Sequence, residues 1–228
     1  MKVEVLSLGG SVIIPTYTDQ IDYNYLKKLK RLFASIKDRK FVIVVGGGST
    51  SRKYMKALEE EGFDKKTQSV FGISVTRMNA KFMADFFYGV ASQSIPRSLA
   101  DVKNLLKHNR IVFTGGLRYE EDNTSDGTAA RIANYLNTDF INITDVDGLY
   151  TKDPRKFKDA KLINHISFQD FDKMIKQITF HPGQHFVLDQ HASSIIKRNK
   201  IRTTIIGRDI ENIRRCLNDK DFKGTVIE

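Results

Sequence analysis

A polar turn that could bind a nucleotide follows the apolar run from Leu136 to Ile143. A nucleotide needs a flat surface for its base, acceptors for exocyclic amines and a cation near its phosphates. Ligands of open α/β sheets bind at the carboxyl ends of the strands, so a strand over the apolar run would place this turn in a binding position. The turn carries Thr144, Asp145, Asp147, Tyr150, Lys152 and Asp153.

Glycine-rich turns also follow apolar runs, and they indicate a phosphate site. Glycine lets backbone amides approach a phosphate closely, and a helix that begins after such a turn adds its unpaired amides. Tight turns need glycine for steric reasons too, so each turn alone has an equally good structural explanation. Neither Gly-x4-Gly-Lys-Ser/Thr nor Gly-x-Gly-x-x-Gly is present. The three turns are Gly9-Gly10-Ser11, Gly46-Gly47-Gly48-Ser49-Thr50 and Gly115-Gly116.

Two charged residues near these turns could act on the same anion. Arg52 falls in the first turn of the helix predicted after the triple glycine, where its guanidinium could reach a phosphate; a surface arginine is the alternative. Asp126 opens a run of small residues and could hold Mg²⁺ or orient a lysine, because a polyphosphate needs a metal to offset its charge. A helix N-cap is an equally good interpretation of Asp126.

The elements that must position these residues alternate along the chain. Short, continuously apolar runs predict strands buried on both faces, over Val3–Leu8, Phe41–Val45, Arg110–Phe113, Phe140–Ile143 and Arg202–Ile206, with Gly224–Glu228 as a candidate edge strand. Apolar residues at helical spacing predict helices, over Ile21–Lys37, Ser51–Glu61, Ile73–Phe87, Ser98–His108, Thr128–Leu136, Ser167–Ile178 and Asp189–Asn199. This alternation predicts an α/β fold, with a mainly parallel sheet covered on both sides.

Composition excludes several classes of protein. At 228 residues the chain can bury a substantial core, and one domain with two lobes is the best interpretation. The single Cys216 excludes an internal disulfide framework and a multi-cysteine zinc site, so a reducing cytoplasm is expected. No apolar stretch approaches the roughly 18 residues of a membrane span, and Glu4 argues against a signal peptide.

The chain is basic, with 37 Lys and Arg against 27 Asp and Glu and a net charge of +10. The basic residues are scattered along predicted helices and have acidic neighbours, as on solvated helix faces. No recognition helix or stacking-aromatic motif accompanies them, so we expect no nucleic-acid partner. Overall basicity would help to capture an anionic small-molecule substrate.

Taken together, the motifs resemble the amino-acid kinase superfamily and, within it, the archaeal-type uridylate (UMP) kinases. The similarity runs nearly end to end. Its most specific element is the turn Thr144–Arg155, in which Thr-Asp-Val-Asp-Gly-Leu-Tyr precedes Asp-Pro. The other matching segments are Ser7–Ser11, Val44–Tyr54, Gly72–Ala80, Gly115–Gly116, Thr124–Ala130 and Ile195–Arg202.

The resemblance implies a three-layer αβα sandwich of the carbamate kinase-like fold. It implies a single domain over residues 1–228, with an acceptor-nucleotide lobe over about 1–135 and an ATP-binding lobe over about 136–228. The implied reaction transfers the γ-phosphoryl group of ATP to UMP, with Mg²⁺, and yields UDP for pyrimidine nucleotide synthesis. Members of this kind are typically homohexamers, with small-molecule nucleotides as partners and no membrane.

The resemblance also implies roles for individual residues. ATP is expected at Gly9, Gly10, Ser11, Gly47, Arg52, Thr144, Asp145, Tyr150 and Asp153. UMP is expected at Gly46, Ser69, Gly116, Arg118, Asn123, Thr124 and Ser125. The expected catalytic residues are Asp126, Arg52 and Gly10. Mg²⁺ would be held through ATP, with Asp126 as a candidate ligand.

The chain departs from the family pattern in three places. Ser69 occupies the position of an aspartate that usually binds the acceptor nucleotide. The acceptor loop is longer by two residues and carries Glu120-Glu121-Asp122, which would repel a phosphate unless these acids face solvent or a cation. Ser7 and Ser11 stand where many superfamily members have a lysine.

These departures keep two alternatives open. One is a phosphotransferase with another small acceptor, such as a carboxylate or an isoprenoid phosphate. The other is a non-catalytic paralogue that binds nucleotide, although retention of Arg52 and Asp126 argues against it. His181, His185 and His191 cluster within eleven residues, but Pro182 and Gly183 interrupt any helical spacing, so we interpret the cluster as a polar loop.

Overall fold

The computed structural model describes residues 1–15, 20–119, 124–177 and 188–228. Within them, one sheet contains β1 (Lys2–Leu8), β2 (Arg39–Val45), β3 (Ile111–Thr114), β4 (Phe140–Thr144), β5 (His165–Ile166), β6 (Thr203–Gly207) and β7 (Gly224–Ile227). The helices are α1 (Gly10–Ile13), α2 (Tyr23–Ser35), α3 (Gly48–Glu60), α4 (Lys65–Phe86), α5 (Leu99–His108), α6 (Ser125–Leu136), α7 (Phe168–Gln177), α8 (Gln190–Asn199) and α9 (Ile210–Leu217).

The strands lie in the order β3-β2-β1-β4-β6-β7-β5. All neighbours from β3 to β6 are parallel, whereas β7 runs antiparallel to β6 and parallel to β5. The five predicted apolar strands are confirmed, each within two residues at its ends, because a strand buried on both faces is apolar throughout. The prediction of an edge strand at the carboxyl terminus is wrong in one respect, since β5 covers the outer side of β7.

Helices cover both faces of the sheet, which confirms the three-layer αβα architecture. Successive side chains of a strand point to opposite faces. Leu6 and Ile43 pack on one face with buried residues of α2, α4 and α9. Val5 and Val42 pack on the other face with buried residues of α5, α6, α7 and α8.

The helix boundaries agree less closely with the sequence pattern. Helix α4 begins at Lys65, well before the predicted start at Ile73. Its first turns are polar, and a local cap defines their start, since the Asp64 carboxylate accepts a hydrogen bond of 2.7 Å from the amide of Thr67. The pattern also does not predict α1, α9 or the two-residue β5, and the predicted end of α7 at Ile178 lies outside the described residues.

The order of the strands creates a crevice outside the carboxyl ends of the strands. β1 is flanked by β2 and β4, so the chain extends first to one side of β1 and then to the other. Ligands of open α/β sheets bind where the strand order reverses, outside the carboxyl ends of the strands. The turns after β1, β2, β3 and β4 all lie at these carboxyl ends.

Candidate active site

A cavity of about 380 Å³ opens between the turns that follow β1, β2, β3 and β4. This volume falls in the range of small-molecule sites. The structure therefore brings together most of the residues that the sequence analysis selected. Those that line the cavity are Gly9, Gly10, Ser11, Gly46, Gly47, Arg52, Ser69, Gly116, Thr124, Ser125, Asp126, Thr144 and Asp145.

Three other predicted residues, Tyr150, Asp153 and Arg118, do not line this cavity. Tyr150 pairs with Leu162 in an isolated β-bridge, because the chain folds back on itself after the carboxylate turn. Asp153 is exposed and accepts a hydrogen bond of 3.0 Å from the backbone amide of Arg155. Arg118 is also exposed. Asn123 and the acids of 120–122 lie outside the described residues.

The first two glycine turns touch each other through their backbones. A Cβ atom on Gly10 would overlap the backbone of Gly48, and one on Gly46 would lie 2.9 Å from the amide nitrogen of Gly10. Gly48 also has a φ of +65°, which favours glycine. The glycines at these positions are therefore required for the contact between the turns, in addition to any role toward a ligand.

Gly9 differs from its neighbours in this respect. It has an ordinary φ of −54°, and a Cβ there would meet nothing closer than 3.6 Å, the distance to Ser11 Oγ. Neither conformation nor packing demands a glycine at this position, so the missing side chain leaves space for a ligand in the cavity. The backbone of Gly9 can thus approach an anion closely, as the glycine pattern predicts.

The amino terminus of α3 faces the same space. Gly47 precedes the helix and, within the described residues, no side chain caps its first amides. The first backbone amides of a helix lack partners inside the helix, and the helix dipole favours negative charge at this end. Arg52 lies in the first turns of α3 and adds a guanidinium to the cavity wall. This end of the cavity can therefore bind a phosphate.

Asp126 lies in the first turn of α6 and faces the cavity. The N-cap of α6 is Thr124, whose hydroxyl accepts a hydrogen bond of 2.9 Å from the amide of Gly127. The N-cap interpretation of Asp126 is therefore wrong, and its carboxylate is free for another role. It accepts a hydrogen bond of 2.6 Å from the Ser7 hydroxyl. Ser7 is buried near the carboxyl end of β1.

The surroundings of Asp126 disfavour its ionised form. Burial raises the pKa of its carboxyl to about 7, and the negative charge of Asp189 adds to this increase. The hydrogen bond from Ser7 opposes the shift, because it stabilises the carboxylate. A carboxyl with a strongly raised pKa in a cavity is typical of a functional site.

Helix α4 holds the second and third glycine turns in place. The Asn79 side chain donates hydrogen bonds to the carbonyl oxygens of Gly46, at 2.9 Å, and Gly47, at 3.4 Å. Thr76 Oγ1 accepts a hydrogen bond of 2.9 Å from the amide of Gly116, and Arg77 Nε donates to the Gly116 carbonyl at 2.8 Å.

The roles of these three polar residues of α4 do not follow from the sequence pattern. They occur at helical spacing in a segment that already matched the family, but only the fold shows that they point to the glycine turns. Asn142 is a further cavity residue that the sequence pattern does not indicate; it is buried in the middle of β4, within a strand that reads as apolar.

The carboxylate turn after β4 contributes its first residues to the cavity and uses the others locally. Asp145 lines the cavity and pairs with Arg155 at 2.7 Å. Asp147 pairs with Lys223 at 2.6 Å and accepts a weak hydrogen bond of 3.5 Å from the Tyr150 hydroxyl. Partial burial raises the pKa of Tyr150, and the charge of Asp147 raises it further.

A larger cavity, of about 860 Å³, lies on the opposite side of the sheet, at the amino ends of the parallel strands. Its walls include the buried ion pair between Arg39 and Glu4, whose closest atoms are 2.6 Å apart. Arg202 also pairs there with Glu228, at 2.9 Å. The charges within each of these ion pairs neutralise one another. Ligands of such sheets bind at the carboxyl ends of the strands. We therefore assign the candidate site to the smaller cavity.

Within the described part of the chain, no three His, Cys, Asp or Glu side chains are grouped to hold a metal ion. His191 is half-buried on α8, whereas His181 and His185 lie outside the described residues, so the interpretation of this cluster stays a prediction. None of the described helices has the length and apolar character that crossing a membrane requires.

The chain matches known proteins over nearly its whole length. Residues 2–207 match the model of the family described as the amino acid kinase family. A uridylate kinase of Thermoplasma volcanium is 36% identical over 225 residues, which are 98% of this chain and 96% of the relative. A uridylate kinase of Thermoplasma acidophilum is 34% identical over the same length.

A solved structure is similar over the whole of both chains. The crystal structure of uridylate kinase from Archaeoglobus fulgidus superposes with a TM-score of 0.84 at 32% identity, and the match covers 100% of each chain. The fold of this chain therefore matches one that is established by experiment.

We predict that the side-chain amide of Asn79 stabilises the second glycine turn, so that its removal destabilises the folded protein. Asn79→Ala loses hydrogen bonds to two backbone carbonyl groups, and each buried bond contributes about 1 kcal/mol. Asn79→Asp should be worse, because a carboxylate would face the carbonyl oxygens of Gly46 and Gly47. Urea unfolding should show a loss of about 1–3 kcal/mol for the alanine variant and a larger loss for the aspartate variant. Equal stability of the two variants would contradict this role.

We also predict that Asp126→Asn stabilises the metal-free, ligand-free protein in a pH-dependent way. The pKa of Asp126 is raised to about 7 in the folded protein, so its stabilising contribution is present below the unfolded pKa of about 3.9 and is lost as the pH rises to 7. The variant should therefore match the wild type near pH 4 and exceed it at pH 8, by on the order of 2 kcal/mol. Thermal unfolding at both pH values measures the difference, and an equal difference at both would refute the prediction.

Proposed function

Because this chain belongs to the amino acid kinase family, we propose that it transfers the γ-phosphoryl group of ATP to UMP, giving ADP and UDP. The observation that carries the proposal is the meeting of four strand-end turns around Asp126, in a chain similar over its whole length to uridylate kinases. Phosphoryl transfer requires little more of a protein than holding two anionic substrates in line and stabilising the charge of the transferring group. The cavity provides groups suited to both tasks.

The donor side of the proposed site comprises the turns after β1 and β4 and the start of α3. Gly9, Gly10 and Ser11 would contact the triphosphate with backbone amides, and Gly47 and Arg52 would face it from α3. The open space at Gly9 supports this arrangement, because a polyphosphate needs close approach to the backbone. We propose that the lobe of about 136–228 binds ATP, with Thr144, Asp145, Tyr150 and Asp153 around its adenosine. Tyr150 and Asp153 would then contact the nucleotide beyond the described cavity.

The acceptor side comprises the turn after β3 and the start of α6, in the proposed lobe of about 1–135. Gly46, Ser69, Gly116 and Ser125 line the cavity on this side, and Thr124 ends the acceptor loop. Arg118 and Asn123 complete the proposed set. A serine hydroxyl at position 69 would hold a ribose hydroxyl more weakly than a carboxylate, because hydrogen bonds to ionised groups are stronger.

The proposed mechanism has a single displacement step. An oxygen of the UMP phosphate attacks the γ-phosphorus atom, a new O–P bond forms, and the bond to the β–γ bridging oxygen breaks as ADP leaves. The attacking oxygen is already anionic at neutral pH, so no general base is required. Asp126 would organise the transfer centre, and Arg52 with the amides of Gly10 would offset the developing charge.

The residues around Asp126 fit a magnesium ion carried by ATP. Asp126 and Asp189 place two carboxylates close enough for the charge of one to raise the pKa of the other, and carboxylate oxygens are preferred Mg²⁺ ligands. Bound with ATP, Mg²⁺ would neutralise charge on the β- and γ-phosphates. Asp126 is the side chain that we propose for direct or water-mediated contact. We propose that the reaction takes place in the cytoplasm and serves pyrimidine nucleotide synthesis.

The proposed activity is tested by ADP release with ATP and Mg²⁺ against a panel of nucleoside monophosphates, small carboxylates and an isoprenoid phosphate. UMP should stimulate ADP release most strongly. Asp126→Asn should lower kcat about 100-fold or more while ATP binding stays measurable by calorimetry, because the triphosphate contacts persist. Preference for another acceptor would favour the alternative phosphotransferase, and silence with every acceptor would favour a non-catalytic nucleotide-binding protein.

We further propose that the protein is a homo-oligomer, and a homohexamer by family resemblance. Exposed apolar side chains on α3 and α4 support self-association: Tyr54 is 50%, Phe71 42% and Met78 57% exposed. The rings of Tyr54 and Phe71 lie 5.5 Å apart and form a continuous patch. Contiguous exposed apolar surface of this kind marks interaction sites.

Light scattering should give the wild type a mass near six times the 26.0 kDa of one chain. The double substitution Phe71→Glu and Met78→Glu should reduce this mass, because four charged groups at an interface, two from each subunit of a pair, would repel. A monomeric wild type, or an unchanged mass in the double variant, would contradict the proposed interface.

A further inference from the structure

A hydrogen bond joins the amino termini of two helices beside the cavity. Thr124 Oγ1 donates to Asp189 Oδ2 at 2.5 Å. Thr124 is the N-cap of α6, and Asp189 is the N-cap of α8, whose carboxylate accepts a second hydrogen bond of 2.9 Å from the amide of Ala192. One bond thus links two caps that are 65 residues apart in the sequence. We call this bond between Thr124 and Asp189 the cap link.

The cap link fixes both of its partners. The Thr124 hydroxyl accepts from the Gly127 amide and donates its one proton to Asp189. Each oxygen of the Asp189 carboxylate accepts one bond, one within α8 and one across to α6. Buried residues of the two helices pack in the same core cluster, so the cap link sets how their amino termini meet at the cavity edge.

The residues next to Thr124 are the ones that face the cavity. Ser125 and Asp126 form the first turn of α6, and Asp126 accepts the hydrogen bond from Ser7 on β1. The first turn of α6 is therefore held from two directions, by Ser7 through Asp126 and by Asp189 through Thr124. Asp189 itself does not line the cavity.

Capping alone does not account for an aspartate at position 189. Serine and asparagine cap helices about as well as aspartate does, but neither offers two equivalent acceptor oxygens. Asp189 uses both of its oxygens, one for the cap of α8 and one for the bond from Thr124. Among the capping aspartates, Asp64 shows the purely local case, since its carboxylate bonds only within the first turn of α4.

We propose that Asp189 is a positioning residue for phosphoryl transfer, which holds the first turn of α6 in its active arrangement through Thr124. The inference rests on the proposed kinase activity for its kinetic test. Misplacement of a reacting group by about 1 Å can cost up to 100-fold in rate. Loss of the cap link should therefore act on kcat, while the triphosphate contacts of the first two glycine turns persist.

The test compares Asp189→Ser with Asp64→Ser in the ATP and UMP assay. Both substitutions keep a capping hydroxyl, but serine at position 189 is too short to reach Thr124. We expect Asp189→Ser to lower kcat about tenfold, with KM for ATP within about twofold of the wild type. Asp64→Ser should leave kcat within about twofold, because the Asp64 carboxylate bonds to Thr67, which does not line the cavity. Equal kcat values for the two variants would overturn the proposal.

A double-mutant cycle separates the cap link from a general loss of stability. In the Thr124→Ala background the link is already absent, so Asp189→Ser should lower kcat there by less than about twofold. Losses that multiply would show that the two residues act independently, and would overturn the proposal. If Asp189→Ser does not fold, Asp189→Asn takes its place in the cycle, since asparagine keeps the cap but offers only one acceptor oxygen.

A second measurement keeps this inference distinct from the proposed function. If the wild type shows no turnover with UMP, the proposed function fails. Hydrogen exchange at the amide of Gly127, which donates to Thr124, then tests whether the cap link exists. Exchange should then be about tenfold faster in Asp189→Ser than in Asp64→Ser, because the Thr124 hydroxyl would lose its fixed orientation. Equal exchange rates in the two variants would overturn the cap link itself.

Discussion

The contact between the backbones of the first two glycine turns is the constraint on which the rest of the site depends. Gly10 lies so close to Gly48 that it could not carry a side chain, and Gly48 has a positive φ that favours glycine. Because the turns after β1 and β2 touch, the amino terminus of α3 opens onto the space beside Gly9. A single Cβ atom at Gly10 would have to push α3 away from β1, and the phosphate end of the cavity would widen. The glycines therefore shape the site before they contact any ligand.

Polar side chains from both faces of the sheet hold the turns around this contact. Asn79 and Thr76 reach the second and third glycine turns from α4, on one face. Ser7 reaches Asp126 on α6, on the other face. The bonds are directed at backbone carbonyls, amides and one carboxylate, so they fix positions as well as adding stability.

Two neighbouring carboxylates, those of Asp126 and Asp189, place unfavourable negative charge beside the cavity. Asp126 is half-buried near a second carboxylate, that of Asp189, and its raised pKa reflects the cost of ionising it there. In the proposed reaction, a magnesium nucleotide would reduce the cost, because the bound metal ion lowers the local negative potential. Catalytic residues are commonly held in environments that lower the stability of the folded protein. The proposed activity and the predicted gain in stability of Asp126→Asn have this one physical origin.

The strands, the α/β class and the family could be read from the amino-acid sequence alone. Strands buried on both faces leave an unbroken apolar pattern, and the turns that follow them must contain glycine or polar residues. The start of α4 could not be read in this way, because its first turns are polar, and α9 could not, because its amphipathic pattern spans only eight residues. The folded structure was needed to show that Thr124 caps α6 in place of Asp126, and that Tyr150 lies outside the cavity. It also revealed the bonds from Asn79 to Gly46 and from Ser7 to Asp126. These last bonds join residues far apart in the chain, and their geometry follows from the packing of helices on the sheet, which local sequence does not encode.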